Sequence, residues 1–204
     1  MSATPPTSPT DAASWWRRLF QPPRQAWLLG IPVGALLFFV LGIVFFAGAG
    51  AVLEATSSTR FCADACHEMT AFSVPEWQAS AHFKNARGFQ AGCPDCHVPR
   101  PEIPRLIRKA KAIGEVWGHL TGSIATQAKF DARKVAMARD TWAELKASDS
   151  RECRACHNAA TMDLSAQEHS AQIKHTRMKT SGETCIDCHK GVVHSVPAGA
   201  DTSS

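Results

Sequence analysis

Hydrophobic and polar positions divide the chain sharply. From Ala26 to Leu53 the run AWLLGIPVGALLFFVLGIVFFAGAGAVL holds no charged residue. At 1.5 Å rise per residue a helix of that length exceeds the roughly 30 Å hydrocarbon core of a bilayer. The run therefore predicts one transmembrane helix over 26–53. Farther along, Leu106, Ile107, Ala110, Ile113, Trp117 and Leu120 recur at helical spacing, with Pro104 suited to open that helix. Val135, Ala138, Trp142 and Leu145 form a second apolar stripe, which KASDS ends. Strand-like alternation is absent. The pattern predicts a mostly α protein with little or no β-sheet: residues 1–25 a disordered tail, 26–53 the anchor, 54–198 a compact exported domain, and 199–204 a flexible tail.

Charge around the anchor sets its direction. Arg17, Arg18 and Arg24 precede it and Glu54 is the first charge after it, so the tail is expected in the cytoplasm and the rest outside. Trp15, Trp16 and Trp27 stand where an interfacial aromatic belt belongs. A cleaved signal peptide is the competing reading, but its apolar region runs to only about 7–15 residues. Expected localisation is therefore a bacterial inner membrane, single pass, with the main domain in the periplasm.

Eight cysteines change the picture most. They fall in four pairs: Cys62 with Cys66, Cys93 with Cys96, Cys153 with Cys156, and Cys185 with Cys188. After each second cysteine comes a histidine, His67, His97, His157 and His189. A c-type haem needs this order, because two thioethers hold the porphyrin and the next imidazole reaches its iron. Three motifs, CPDCH, CRACH and CIDCH, have two residues between the cysteines, whereas CADACH has three. Paired zinc sites or disulfides explain the cysteines alone. Neither requires the histidines, and four such placements by chance, with 9 His in 204 residues, have odds on the order of a few in a million. Four covalent haems follow, arranged as two dihaem halves and supplying much of the core themselves.

Five further histidines are available as distal ligands. His82 lies between the first two motifs, His175 between the last two, and His194 just after the last, so each can tie one motif to a neighbouring haem. His119 and His169 read as surface or packing residues. Met69, two residues after His67, is an alternative soft ligand to the first iron.

With these motifs in hand the chain resembles the NapC/NirT family of membrane-anchored tetrahaem quinol dehydrogenases. The likeness is carried in order by the anchor, CHEM at Cys66, SAHFKN at Ser80, CPDCHVP at Cys93, EVWG at Glu115, ECRACHN at Glu152 and TCIDCHKGVVHSVP at Thr184. It is nearest the branch that serves periplasmic nitrate reductase. The resemblance implies oxidation of membrane quinol near the first haem, then electron flow through the others to a periplasmic reductase or its cytochrome subunit. It places His82, His175 and His194 at distal positions, Met69 on the first haem, and Lys109 or Lys111 with Glu115 in the quinol pocket. Two departures matter. The first motif carries an extra residue, and Arg100 stands where relatives have a histidine, so a fourth distal histidine is missing. The first haem is then expected not to be bis-histidine ligated, and to lie open to quinol or be capped by Glu115.

Other readings stay in play at this point. Nitrite reductase is an alternative electron acceptor. A terminal reductase needs a substrate funnel for which this short chain has no extra segment, and a passive haem relay would be fed by another protein. The net charge of +4 is dispersed, with 22 Lys and Arg against 18 Asp and Glu, so nucleic acid is not an expected partner. Membrane lipid and an acidic docking partner are.

Overall fold

A computed structural model describes residues 27–28 and 31–201. The expected tail 1–25, with Trp15, Trp16 and its arginines, lies outside them, as do residues 202–204 at the other end. The chain divides into two units, Met1–Glu54 and Ala55–Ser204.

In the first unit, strands β1 (Trp27–Leu28) and β2 (Ile31–Pro32) pair antiparallel over two residues each. Helix α1 (Val33–Ala55) follows, 23 residues long and without a charged residue before Glu54. It starts later than the predicted Ala26 because Pro32 has no N–H to give a helix interior and sits best just ahead of a helix. Its length of about 35 Å still exceeds a bilayer core. Its described side chains are almost all exposed, including Phe38, Phe45 and Phe46, as a lipid-facing helix requires.

The second unit is helical. Its elements are α2 (Thr59–Asp64), a π-helical turn (Met69–Ser73), α3 (Val74–Ala79), α4 (Cys93–His97), α5 (Glu102–Leu120), α6 (Gln127–Ala147), α7 (Arg151–Arg154), a 3-10 turn (Leu164–Ala166), α8 (His169–Ser181) and α9 (Cys185–Cys188). The helix expected from Pro104 begins at Glu102, two residues earlier, with Pro101 as its cap. The second expected helix is α6, capped by Thr126, whose hydroxyl accepts from the Lys129 N–H. It ends where Asp149 and Ser150 turn left-handed, at φ 52° and 49°.

Packing inside this unit is unusual for its size. Only Ala91, Phe130 and Ile186 are buried apolar side chains among the described residues. A polypeptide of about 150 residues normally hides a much larger apolar core. Tight contacts occur instead between the short cysteine helices: α2 meets α4 where Gly92 lies against Thr59, and α9 meets the end of α6. Ala55–Ser204 is one unit, so two dihaem halves are not visible as separate bodies.

Candidate haem and electron-transfer site

Each cysteine motif forms or borders a short helix, and local chemistry sets how. In CPDCH and CIDCH the aspartate stands at the third helical position and caps the helix that carries it. Asp95 Oδ2 accepts from the Gly92 N–H at 2.8 Å, and Asp187 Oδ2 accepts from the Thr184 N–H at 2.8 Å. Helix α9 is anchored further by Lys146, which donates to Asp187 at 2.7 Å, and by buried Ser150, whose hydroxyl accepts from the Ile186 N–H at 3.1 Å. In the third and fourth motifs the histidine N–H bonds the carbonyl of the first cysteine, His157 to Cys153 at 2.8 Å and His189 to Cys185 at 2.9 Å. One helical turn therefore aims thiols and imidazole together. None of the eight cysteines is joined to another by a disulfide.

The first motif departs from this plan. Helix α2 ends at Asp64, and the chain restarts at Cys66, whose carbonyl accepts from the Met69 and Thr70 N–H groups. The additional residue in CADACH thus uncouples His67 from the helix that carries Cys62. A π-helical turn beginning at Met69 follows at once, and Thr70 Oγ1 donates across the break to Ala63 O at 2.7 Å. Single π turns of this kind mark an inserted residue and cluster at functional sites.

Histidines distant in sequence come together in pairs. His82 faces His157 with ring centres 6.1 Å apart, His97 faces His194 at 6.2 Å, and His175 faces His189 at 6.0 Å. A metal–imidazole bond is about 2.0–2.1 Å, and the nitrogen lies about 1.1 Å from its ring centre. Two imidazoles across one metal atom therefore stand about 6.3 Å apart, close to all three spacings. Together with the scant apolar core, these spacings show that the residues present fit haem.

Outer contacts orient the rings. His175 Nδ1–H donates to Gln167 Oε1 at 2.6 Å, and His194 Nδ1 lies 3.4 Å from Glu76 Oε2. Both leave Nε2 as the ligand atom, because the group behind Nδ1 fixes the tautomer and the ring angle. Glu76 is itself held by Lys134 at 2.5 Å and by Ser195, which joins α3, α6 and the C-terminal loop. Burial, and next the charge of His194, pushes His97 down to about 4. Burial also lowers His189 and His194, so these rings stay neutral, the form that binds metal. His82 sits in the loop after α3, closed by the Ala91 N–H to His82 O at 2.8 Å and by Trp77 Nε1–H to Ala91 O at 2.9 Å.

A fourth histidine meeting was not read from the sequence. His119, near the end of α5, comes to 5.5 Å from His67, ring centre to ring centre. Its Nδ1–H donates to Glu68 Oε2 at 2.8 Å, and the Glu68 carboxyl is 1% exposed. The same oxygen lies 3.4 Å from His67 Nδ1. Both Nδ1 atoms therefore turn toward one carboxylate, and the rings do not oppose each other through Nε2 as the other pairs can. Burial raises the Glu68 carboxyl, but its own backbone N–H and the hydrogen bond and charge of His119 outweigh that and hold it below the usual range. Met69 is half-buried at the head of the π turn, and His169 is exposed at the start of α8. Arg100 is exposed and lies 3.7 Å from Asp95.

Among the residues expected at a quinol pocket, the structure separates two lysines. Lys109 donates to Thr56 O at 2.7 Å and to Thr56 Oγ1 at 3.1 Å, on the side of the first motif. Burial and the charges of Arg108 and Arg105 hold its ammonium below the ordinary lysine range. Lys111 turns away and pairs with Glu144 of α6 at 2.6 Å. Glu115 is mostly exposed and pairs with Arg108 at 2.7 Å. The carboxylate that stands beside His67 is Glu68.

Comparison with known proteins places the chain among cytochromes c. Residues 26–199 match the family described as NapC/NirT cytochrome c family, N-terminal region. The denitrification system component NirT of Stutzerimonas stutzeri is 44% identical over 160 residues, 78% of this chain and 79% of its own. The cytochrome c-type protein NapC of Escherichia coli K12 is 42% identical over 185 residues, 90% of this chain and 88% of its own. A putative tetraheme cytochrome-c type protein of Allochromatium vinosum is 44% identical over 168 residues, 82% and 90%. No solved structure matches the chain.

Proposed function

The chain belongs to the NapC/NirT cytochrome c family of membrane-anchored electron-transfer proteins, and from that premise we propose that it oxidises membrane quinol and passes the electrons to a periplasmic reductase. Nitrate reductase is the acceptor favoured here, because the relative named NapC matches over the longer span. Transfer to nitrite reductase is the second reading, which the relative named NirT keeps open.

In this proposal four haems are attached through Cys62 and Cys66, Cys93 and Cys96, Cys153 and Cys156, and Cys185 and Cys188. Bound haem supplies one-electron transfer. His97 with His194, His157 with His82, and His189 with His175 would hold three of them. The first has a different set, drawn from His67, Met69 and His119, with Glu68 between the imidazoles.

One observation carries the quinol reading: Lys109, held at Thr56 directly after α1, stands beside the motif that is first past the anchor. A lipid-soluble donor reaches that level of the chain before any other. Oxidation of quinol to quinone releases two electrons and two protons. Lys109 would orient a quinol oxygen, and exposed Glu115 would accept a proton and pass it to water. The outer side of the membrane follows from the arginines ahead of the anchor.

The test is anaerobic mixing of the detergent-solubilised holoprotein with a soluble quinol. Reduction of the haem bands by quinol alone is the expected result. Haems that dithionite reduces and quinol does not would identify a passive relay instead.

A further inference from the structure

Helix α5 is built inside out for a water-soluble helix. An ordinary amphipathic helix turns its apolar stripe to the protein and its charges to water. Here Ile103, Leu106, Ile107, Ile113, Trp117 and Leu120 share one face by helical spacing and are 51–72% exposed. Toward the opposite face, Arg105, Arg108 and His119 have side chains only 20–32% exposed, and His119 reaches Glu68 and His67. The first haem motif thus lies on the polar side of α5, away from the apolar stripe.

We propose that α5 lies along the bilayer surface with this stripe sunk into the boundary between headgroups and acyl chains. Three observations select lipid as the occupant. Lys109 of α5 is hydrogen-bonded to Thr56, the first residue past α1, so α5 is pinned at the level where the apolar span ends. The stripe is long and narrow, 19 residues or about 28 Å of helix, the shape of an interfacial helix and not of a compact protein-docking patch. Its composition also fits: an exposed Trp117 on the apolar face, and Lys109 and Lys111 along its flanks for anionic headgroups. The inference goes beyond the quinol reading and does not depend on what the substrate is.

The full-length holoprotein, reconstituted in phosphatidylethanolamine–phosphatidylglycerol vesicles containing a lipid with a photoactivatable acyl chain, tests it. Adducts are mapped by peptide mass spectrometry after illumination. Lipid adducts within 103–120, alongside those in the 33–55 span and absent from 127–147, are expected. The double variant Leu106→Asp, Ile113→Asp should lose the α5 adducts and keep those of the span, with an unchanged Soret absorbance showing intact haem loading. Adducts confined to the span overturn the proposal.

Discussion

Glu68, Glu76 and Gln167 have the same task, since each faces the Nδ1 of a histidine whose other nitrogen is then left to bind. A carboxylate or amide behind a ligating imidazole fixes its tautomer and ring angle, and losing it weakens the ligand about 10–100-fold. Gln167→Leu should therefore loosen His175 alone. In the holoprotein, exogenous imidazole or carbon monoxide would then compete at one haem of four, read as a change in one component of the low-spin spectrum. His119→Ala deprives the buried Glu68 carboxylate of its imidazole donor, at a cost of about 1–3 kcal/mol, and should alter the spectral signature of the first haem only. His82, His175 and His194 were legible as meeting points because they flank motifs at bridging distances. His119 was not legible. A single histidine on an amphipathic helix carries no spacing signal, and its partner Glu68 is 51 residues away. The Arg108–Glu115 ion pair was hidden for a different reason, since its members stand seven residues apart on one helix and either could have faced another partner.

At the scale of elements, the short cysteine helices are too brief to hold themselves, because a four- or five-residue helix has nearly all its backbone groups at an end. Caps and close contacts replace length. Asp95→Ala should release the α4 N-terminus at a cost of about 0.5–2 kcal/mol, measured as a lower denaturant midpoint of the holoprotein. Gly191 shows the same dependence on local geometry. It has φ +82°, and a Cβ there would meet Val196 Cγ2 at 2.8 Å. Gly191→Ala should displace the loop that brings His194 to His97, and the expected sign is a rise in high-spin haem at that pair. Periodicity announced α5 and α6 well, because twenty residues give several turns of evidence. It could not say which way α5 faces. A stripe reads identically whether its far side is a core or a lipid surface, and only the position of Arg105, Arg108 and His119 decides it.

For the whole molecule the telling fact is how little the polypeptide buries by itself. Three buried apolar side chains among the described residues do not offset the conformational entropy of ordering a domain this long, and bound haem would supply the apolar surface that is missing. The histidine pairs also run across the chain. His82, from the first half of the exported sequence, meets His157 of the third motif, and His194 from the end meets His97 of the second. Motif order along the sequence suggested two dihaem halves because it shows which motifs are neighbours in the chain and nothing of which histidine crosses to which motif. The crossing makes a specific demand. If the halves were independent, removing the third haem by Cys153→Ala with Cys156→Ala would disturb only residues after 150. With crossed ligands, His82 loses its partner, and the loop from Ser80 to Ala91 should open as well. Limited proteolysis of the three-haem protein is expected to cut within 80–91 as readily as within 151–168, whereas cuts confined to the second half would show that each half folds around its own pair.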